Sequence, residues 1–131
     1  MPSIFTKIIN GEIPCHKIAE DDNNFAFLDV QPLVMGHVLC VTKLEVDYIF
    51  HHEDAQLQSL ILFSKKVALA IEQAVPCKRI GISVIGLEVP HTHIHLVPLQ
   101  HIDNINFGNP KLNPSHDELA EMAHNIRKYI L

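Results

Sequence analysis

The sequence predicts one domain in which strands neighbour one another in a sheet and helices pack on it. Three observations carry this expectation. Residues His91-Thr92-His93-Ile94-His95-Leu96-Val97-Pro98 place histidine at alternate positions, the two-residue period of a strand that sends all three imidazoles to one face. The preceding run Lys78–Ile85 is also strand-like, and the five residues Gly86–Pro90 between the two are the length of a hairpin connection, making the strands antiparallel neighbours. Residues Asp54–Val75 instead repeat apolar side chains at the 3.6-residue period of a helix laid on a sheet. With 131 residues, 47% hydrophobic and 19% charged, the chain suits a single domain over residues 1–131 with one core.

Ile4–Gly11 reads as a short helix capped by Ser3 and stopped at Asn10-Gly11. Pro14 introduces an extended piece, Cys15–Glu20, and Asp21-Asp22-Asn23-Asn24 has turn composition. A strand over Phe25–Val30 follows, ending on Asp29, whose carboxylate can accept hydrogen bonds from hydroxyls at a cleft edge or cap a turn before Pro32. His37–Thr42 is a continuous apolar strand suited to a sheet interior, with His37 at its first residue, where side chains meet a cleft. The long helix, stopped by Pro76, presents Leu57, Leu60, Ile61, Ser64, Val67, Ala68, Ile71 and Val75 to the sheet. Leu62 and Leu69 lie on another side of it and read as a homodimer contact. His101–Pro114, rich in Asn, Asp and Pro, is expected to be an irregular loop; a last helix starts at Ser115, which with Glu118 has capping-box spacing.

The formal net charge of −5 and the lack of any large basic cluster disfavour nucleic acid as a main partner. No apolar stretch approaches the length of a membrane span, and Met1-Pro2-Ser3 opens no leader pattern, so a cytoplasmic protein without membrane association is expected. Cys15, Cys40 and Cys77 have neither ligand spacing nor an even count, and are read as small apolar side chains.

Three imidazoles in a row suggest a metal, but along a strand His91 and His95 stand about 13 Å apart at ~3.3 Å per residue. A histidine reaches a metal only about 6 Å from its own Cα, so all three could share one ion only in a strained line. A pair such as His93 and His95 with a distant third ligand stays open. Ordinary hydrogen-bonded histidines stay open too. Catalysis is the remaining reading, because neutral imidazole is a nucleophile and its neighbours can change charge near neutral pH.

The residues also resemble a known family. His91-x-His93-x-His95-Leu96-Val97 is similar to the histidine triad (HIT) pattern. Ile4-Phe5-x-Lys7-Ile8-Ile9-x-Gly11-Glu12-Ile13-Pro14, with Glu20-Asp21-Asp22, Phe27-x-Asp29-Val30-x-Pro32 and Gly36–Val41, resembles the amino-terminal blocks of its Hint-like branch. The resemblance implies an α+β fold with an antiparallel sheet of about five strands, one long helix and a C-terminal helix, paired into a homodimer with a continuous sheet. It also implies a purine nucleotide or nucleotide conjugate as ligand. The implied activity is metal-independent, cofactor-free hydrolysis or transfer of the nucleotidyl group from phosphoramidates, acyl adenylates or dinucleoside polyphosphates. By position, His93 is then the nucleophile, His95 and His91 flank the phosphate, and His37 completes the set. Asp29 holds the ribose, and Ile4, Phe5, Ile8, Phe27, Val30 and Leu39 form the slot for the base.

One stretch departs from the family pattern. Val84 and Ile85 precede Gly86 where an asparagine is common, and only Leu87-Glu88-Val89-Pro90 leads to His91, so several phosphate-facing donors are missing. Glu88 is an acceptor where a donor is expected, or a solvated loop carboxylate. The sequence therefore leaves two alternatives beside the enzyme: a nucleotide-binding or interaction module with little turnover, and a zinc protein using His93, His95 and His37.

Overall fold

The computed structural model describes residues 2–131. Its elements are α1 (Ile4–Ile9), β1 (Lys17–Glu20), β2 (Asn24–Leu28), β3 (Val38–Thr42), α2 (Asp54–Ala74), β4 (Arg79–Ser83), β5 (His93–Leu99) and α3 (His116–Arg127). The five strands form one antiparallel sheet in the order β1-β2-β3-β5-β4.

Every residue of β2 and β3 is buried, because both sheet faces are covered. Ala26, Leu28, Val38, Cys40, Ile94 and Leu96 point to one side, where they meet α2 and α3 through Leu60, Phe63, Val67, Ile71, Leu119 and Ile126. Phe25, Phe27, Leu39 and Val41 alternate to the other side and pack with Phe5 of α1. The register sets Val41 opposite His93 and Leu39 opposite His95, so the histidine face is the face under α1.

Local chemistry explains the ends of the helices. Ser3 Oγ accepts from Thr6 N at the start of α1, and Gly11 takes φ +81° just beyond its end, a conformation L side chains resist. Ser115 Oγ accepts from Glu118 N while the Glu118 carboxylate accepts from Ser115 N, the reciprocal cap expected for α3.

Several boundaries differ from the sequence expectation. β2 stops at Leu28 because the Asp29 carboxylate accepts from Gln31 N and turns the chain. β5 begins at His93, two residues late, and residues 84–92 rather than five residues make the connection from β4. On α2 the buried stripe includes Phe63 and Ala70, while Ile61 is exposed; α3 packs beside α2 and pulls the buried face toward itself. Leu62 and Leu69 are exposed, as the sequence implied. The expected irregular loop contains a 3₁₀ turn, Ile102–Ile105, and is tied down by Asn104 Oδ1 accepting from Gln100 N and His101 N.

Candidate active site

A cavity of about 540 Å³ opens over the β3–β5 face, beneath α1 and beside the 84–92 connection. His93 and His95 form its floor, Ile4, Phe5 and Leu39 line it, and Asp29 stands at its edge. The ring centroids of His93 and His95 are 5.0 Å apart, and Phe5 presses edge-on against His93 at 5.0 Å.

The backbone decides which nitrogen of each ring carries hydrogen. His93 Nδ1 lies 2.7 Å from the His91 carbonyl oxygen. A carbonyl only accepts, so Nδ1 bears the proton and Nε2 of the neutral ring keeps a free lone pair. The second chain runs the other way. Leu33 N donates to His37 Nδ1 at 3.1 Å, so the proton of neutral His37 sits on Nε2 and is donated to His95 Nδ1, 3.0 Å away. His95 therefore has its own proton on Nε2. Adjacent rings on the cavity floor thus take opposite roles, a lone pair at His93 and a donor at His95.

Burial holds this pattern against protonation. His37 is lowered to about 4 and His95 to about 3, in both cases mainly by desolvation, with the neighbouring histidine and Lys111 adding to the effect at His95. Both are neutral at pH 7. Burial pushes the Asp29 carboxyl up, opposed by the Gln31 amide and by Lys111. Gly36, at φ +95°, makes the turn from which His37 enters β3, and the Asp29 N–H donates to the His37 carbonyl at 3.0 Å, closing the loop between them.

His91 is placed differently from the expectation that it flanks a phosphate. It is 0% exposed, its Nδ1 accepts from Ser3 Oγ at 2.6 Å, and its Nε2 donates to the Thr42 carbonyl at 2.6 Å. With both nitrogens occupied it lies off the cavity lining and serves as the support whose carbonyl orients His93. His37 likewise acts from behind His95. Of the apolar slot, Ile4, Phe5 and Leu39 line the cavity; Ile8 and Phe27 lie in the apolar layer behind it, and Val30 is exposed outside it.

The lining residues missed by sequence reading include Gln31, the apolar Ile85, Leu87 and Val89 of the connection, and, from the segment after the sheet, Phe107 and Lys111. Phe107 packs edge-on against His95, with centroids 4.7 Å apart, and Lys111 Nζ donates to the Phe107 carbonyl at 2.8 Å. The loop that carries Phe107 and Lys111 lacks any regular periodicity, so no pattern marked them; their one available signal was a lone aromatic and a lysine within a polar segment.

Asp29, His37 and His95 have donor atoms within 4.8 Å of one another, the composition of a metal site. The Leu33 N–H disfavours it. A metal on His37 Nε2 needs the ring proton on Nδ1, which is the atom that already accepts from the backbone. His93 is outside this group, so the set of His93, His95 and His37 expected for zinc is not what the fold gathers.

The HIT domain family matches residues 10–102. An uncharacterized HIT-like protein of Borreliella burgdorferi is 34% identical over 132 residues, covering 94% of each chain. The adenosine 5′-monophosphoramidase hnt1 of Schizosaccharomyces pombe is 30% identical over 133 residues, covering 99% of each. Among solved structures, a Hit-like protein involved in cell-cycle regulation from Bartonella henselae superposes with a TM-score of 0.83 at 28% identity, over 97% of this chain and 95% of that one. The sheet order, the paired histidines and a family match spanning most of the chain agree: this protein belongs to the HIT family.

Proposed function

We propose that the protein is a single-domain nucleotidyl hydrolase that cleaves an α-phosphorus bond of a nucleoside phosphoramidate, or of an acyl adenylate or dinucleoside polyphosphate. The observation that carries this is the His93 Nδ1 hydrogen bond to the His91 carbonyl, which assigns the lone pair of the neutral ring to Nε2, on the floor of a nucleotide-sized cavity. The name of the fission yeast relative, an adenosine 5′-monophosphoramidase, supports the substrate class.

With a phosphoramidate the reaction takes two displacements at phosphorus. The Nε2 lone pair forms a bond to phosphorus, the P–N bond breaks, and the amine leaves with a proton taken from water. His95 Nε2–H holds a phosphoryl oxygen meanwhile. A second water then attacks phosphorus, the N–P bond breaks, its electron pair returns to Nε2, and the proton released neutralises the hydroxide left by the first water. Asp29 is suited to accept from ribose hydroxyls, and Ile4, Phe5 and Leu39 to cover a purine. No metal enters these steps, and the backbone-fixed tautomer of His37 supports that reading.

The test is AMP release from adenosine 5′-phosphoramidate in EDTA. Activity that survives chelation and falls at least about a thousandfold in His93→Ala is expected, as for loss of a covalent nucleophile. Tight AMP binding without turnover would instead favour a binding module, a reading supported by the 84–92 connection, which adds the Glu88 carboxylate but no side-chain donor to the cavity wall.

We also infer a homodimer. Strand β4 is a sheet edge, and its Ile82, with Val84 just beyond its end, lines an apolar groove with Ile49, Leu57 and Ile61, the surface by which a second copy would extend the sheet. A cytoplasmic setting fits three free cysteines. No helix among the described residues is long and apolar enough to cross a membrane.

A further inference from the structure

Among the described residues, the cavity lining offers an anionic substrate neutral side-chain donors, the His95 ring and the Gln31 amide, and one cation. Its lining carries two carboxylates, Asp29 and Glu88, and the connection 84–92 offers hydrophobic side chains around them. His37 and His95 are held neutral by burial, so neither supplies positive charge at pH 7. Among the described residues the single lysine or arginine lining the cavity is Lys111, and it comes from the segment after the sheet, outside the stretch that matches the family.

That segment is built rather than loose. Leu112 N donates to the Pro32 carbonyl at 2.9 Å, pinning the chain beside the loop that holds Asp29 and His37. Asn109 Nδ2 donates to the Asp103 carbonyl at 2.7 Å, closing the turn that carries Phe107 onto His95. The ammonium is parked on two main-chain oxygens, Phe107 at 2.8 Å and Asn109 at 3.5 Å, both neutral acceptors that an anion can outbid. Its field already reaches the site, favouring ionised Asp29 and disfavouring charge on His37 and His95.

We propose that Lys111 is the cationic phosphate-binding residue of this site, acting beside the neutral His95 donor: its ammonium neutralises the α-phosphoryl oxygens of the bound nucleotide, replacing the donors missing from the connection before His91. The assignment rests on the nucleotide reading above. Lys111 acts on the phosphate and not on the nucleoside, so it separates ligands that share a base and ribose but differ in charge. A flexible four-carbon stem lets the ammonium swing a few ångströms from the Phe107 carbonyl to the phosphate without moving the backbone.

The test compares AMP with adenosine on the full chain by calorimetry, together with steady-state turnover of adenosine 5′-phosphoramidate. In Lys111→Met the AMP Kd is expected to rise about tenfold, the worth of one partly exposed charge-assisted hydrogen bond, with adenosine changed less than about twofold. Lys111→Arg should keep most of the AMP affinity, and Lys111→Glu should lose about a hundredfold. Lys65→Met, on the outer side of α2, controls for net charge and should leave both ligands unchanged. Equal losses for AMP and adenosine in Lys111→Met would mean a structural role and overturn the proposal, as would AMP selectivity left intact. A wild-type protein that binds AMP no better than adenosine would overturn the nucleotide reading and the lysine's role together, whereas intact wild-type selectivity retained in Lys111→Met would remove only the latter.

Discussion

Moderate acid should weaken this fold well before its carboxylates are protonated. An unfolded histidine titrates near 6.5, but His37 is lowered to about 4 and His95 to about 3 in the fold. Between those values the unfolded chain binds protons that the folded chain refuses. Stability from these two groups is therefore complete above about pH 6.5 and is lost as pH falls through the window from 6.5 toward 3. Going from pH 7 to pH 5 removes about 2 kcal/mol for each ring. Their shared hydrogen bond couples the two titrations, so about 4 kcal/mol is the ceiling for the pair, still a large share of the 5–15 kcal/mol of a typical domain. Asp29 works in the opposite sense, since a raised carboxyl is relieved by protonation, and it offsets part of the loss at the acid end. Urea unfolding of the wild type at pH 7 and pH 5 measures the difference, and His37→Gln/His95→Asn should abolish most of it. A wild-type change below about 1 kcal/mol, an unchanged pH dependence in the double variant, or a His95 ring resonance titrating near 6.5 would refute the reasoning.

Three further outcomes follow from the packing. Ser3→Ala removes both the cap of α1 and the partner of His91 Nδ1, so it should destabilise by about 1 to 3 kcal/mol in thermal melts and also lower turnover. Gly36→Ala places a Cβ 3.0 Å from Val75 Cγ2 and 3.1 Å from Pro98 Cγ at φ +95°, and should cost about 1 to 3 kcal/mol by urea titration. Ile82→Lys puts a charge on the exposed β4 edge and should convert a dimer into a monomer in light scattering while leaving the monomer's helix content unchanged.

Much of the architecture was legible because periodicity and caps report local physics. Ser3, Ser115 with Glu118, and the alternation through Ile94 and Leu96 each announced an element that the structure contains. The strand between Phe25 and Leu28 was read two residues too long because Asp29 has no strand-breaking signature until its carboxylate is seen bonding Gln31 N. The site was legible at His93 and His95, which share a face by strand period alone. The position of His91 was not, since its burial depends on Ser3 and Thr42, 88 and 49 residues away. Lys111 and Phe107 escaped for the same reason: only a long-range bond such as Leu112 N to Pro32 O brings their loop to the cavity.

The hydrogen bonds from Leu33 N to His37 and from His93 to the His91 oxygen bear on how relatives should be compared. Each is donated or accepted by main chain, so the division of labour between two identical rings is written in peptide geometry, where no alignment column records it. A homologue can retain every imidazole and still be inert if a proline at the position of Leu33 deletes one amide, or if a shifted turn carries one carbonyl out of reach.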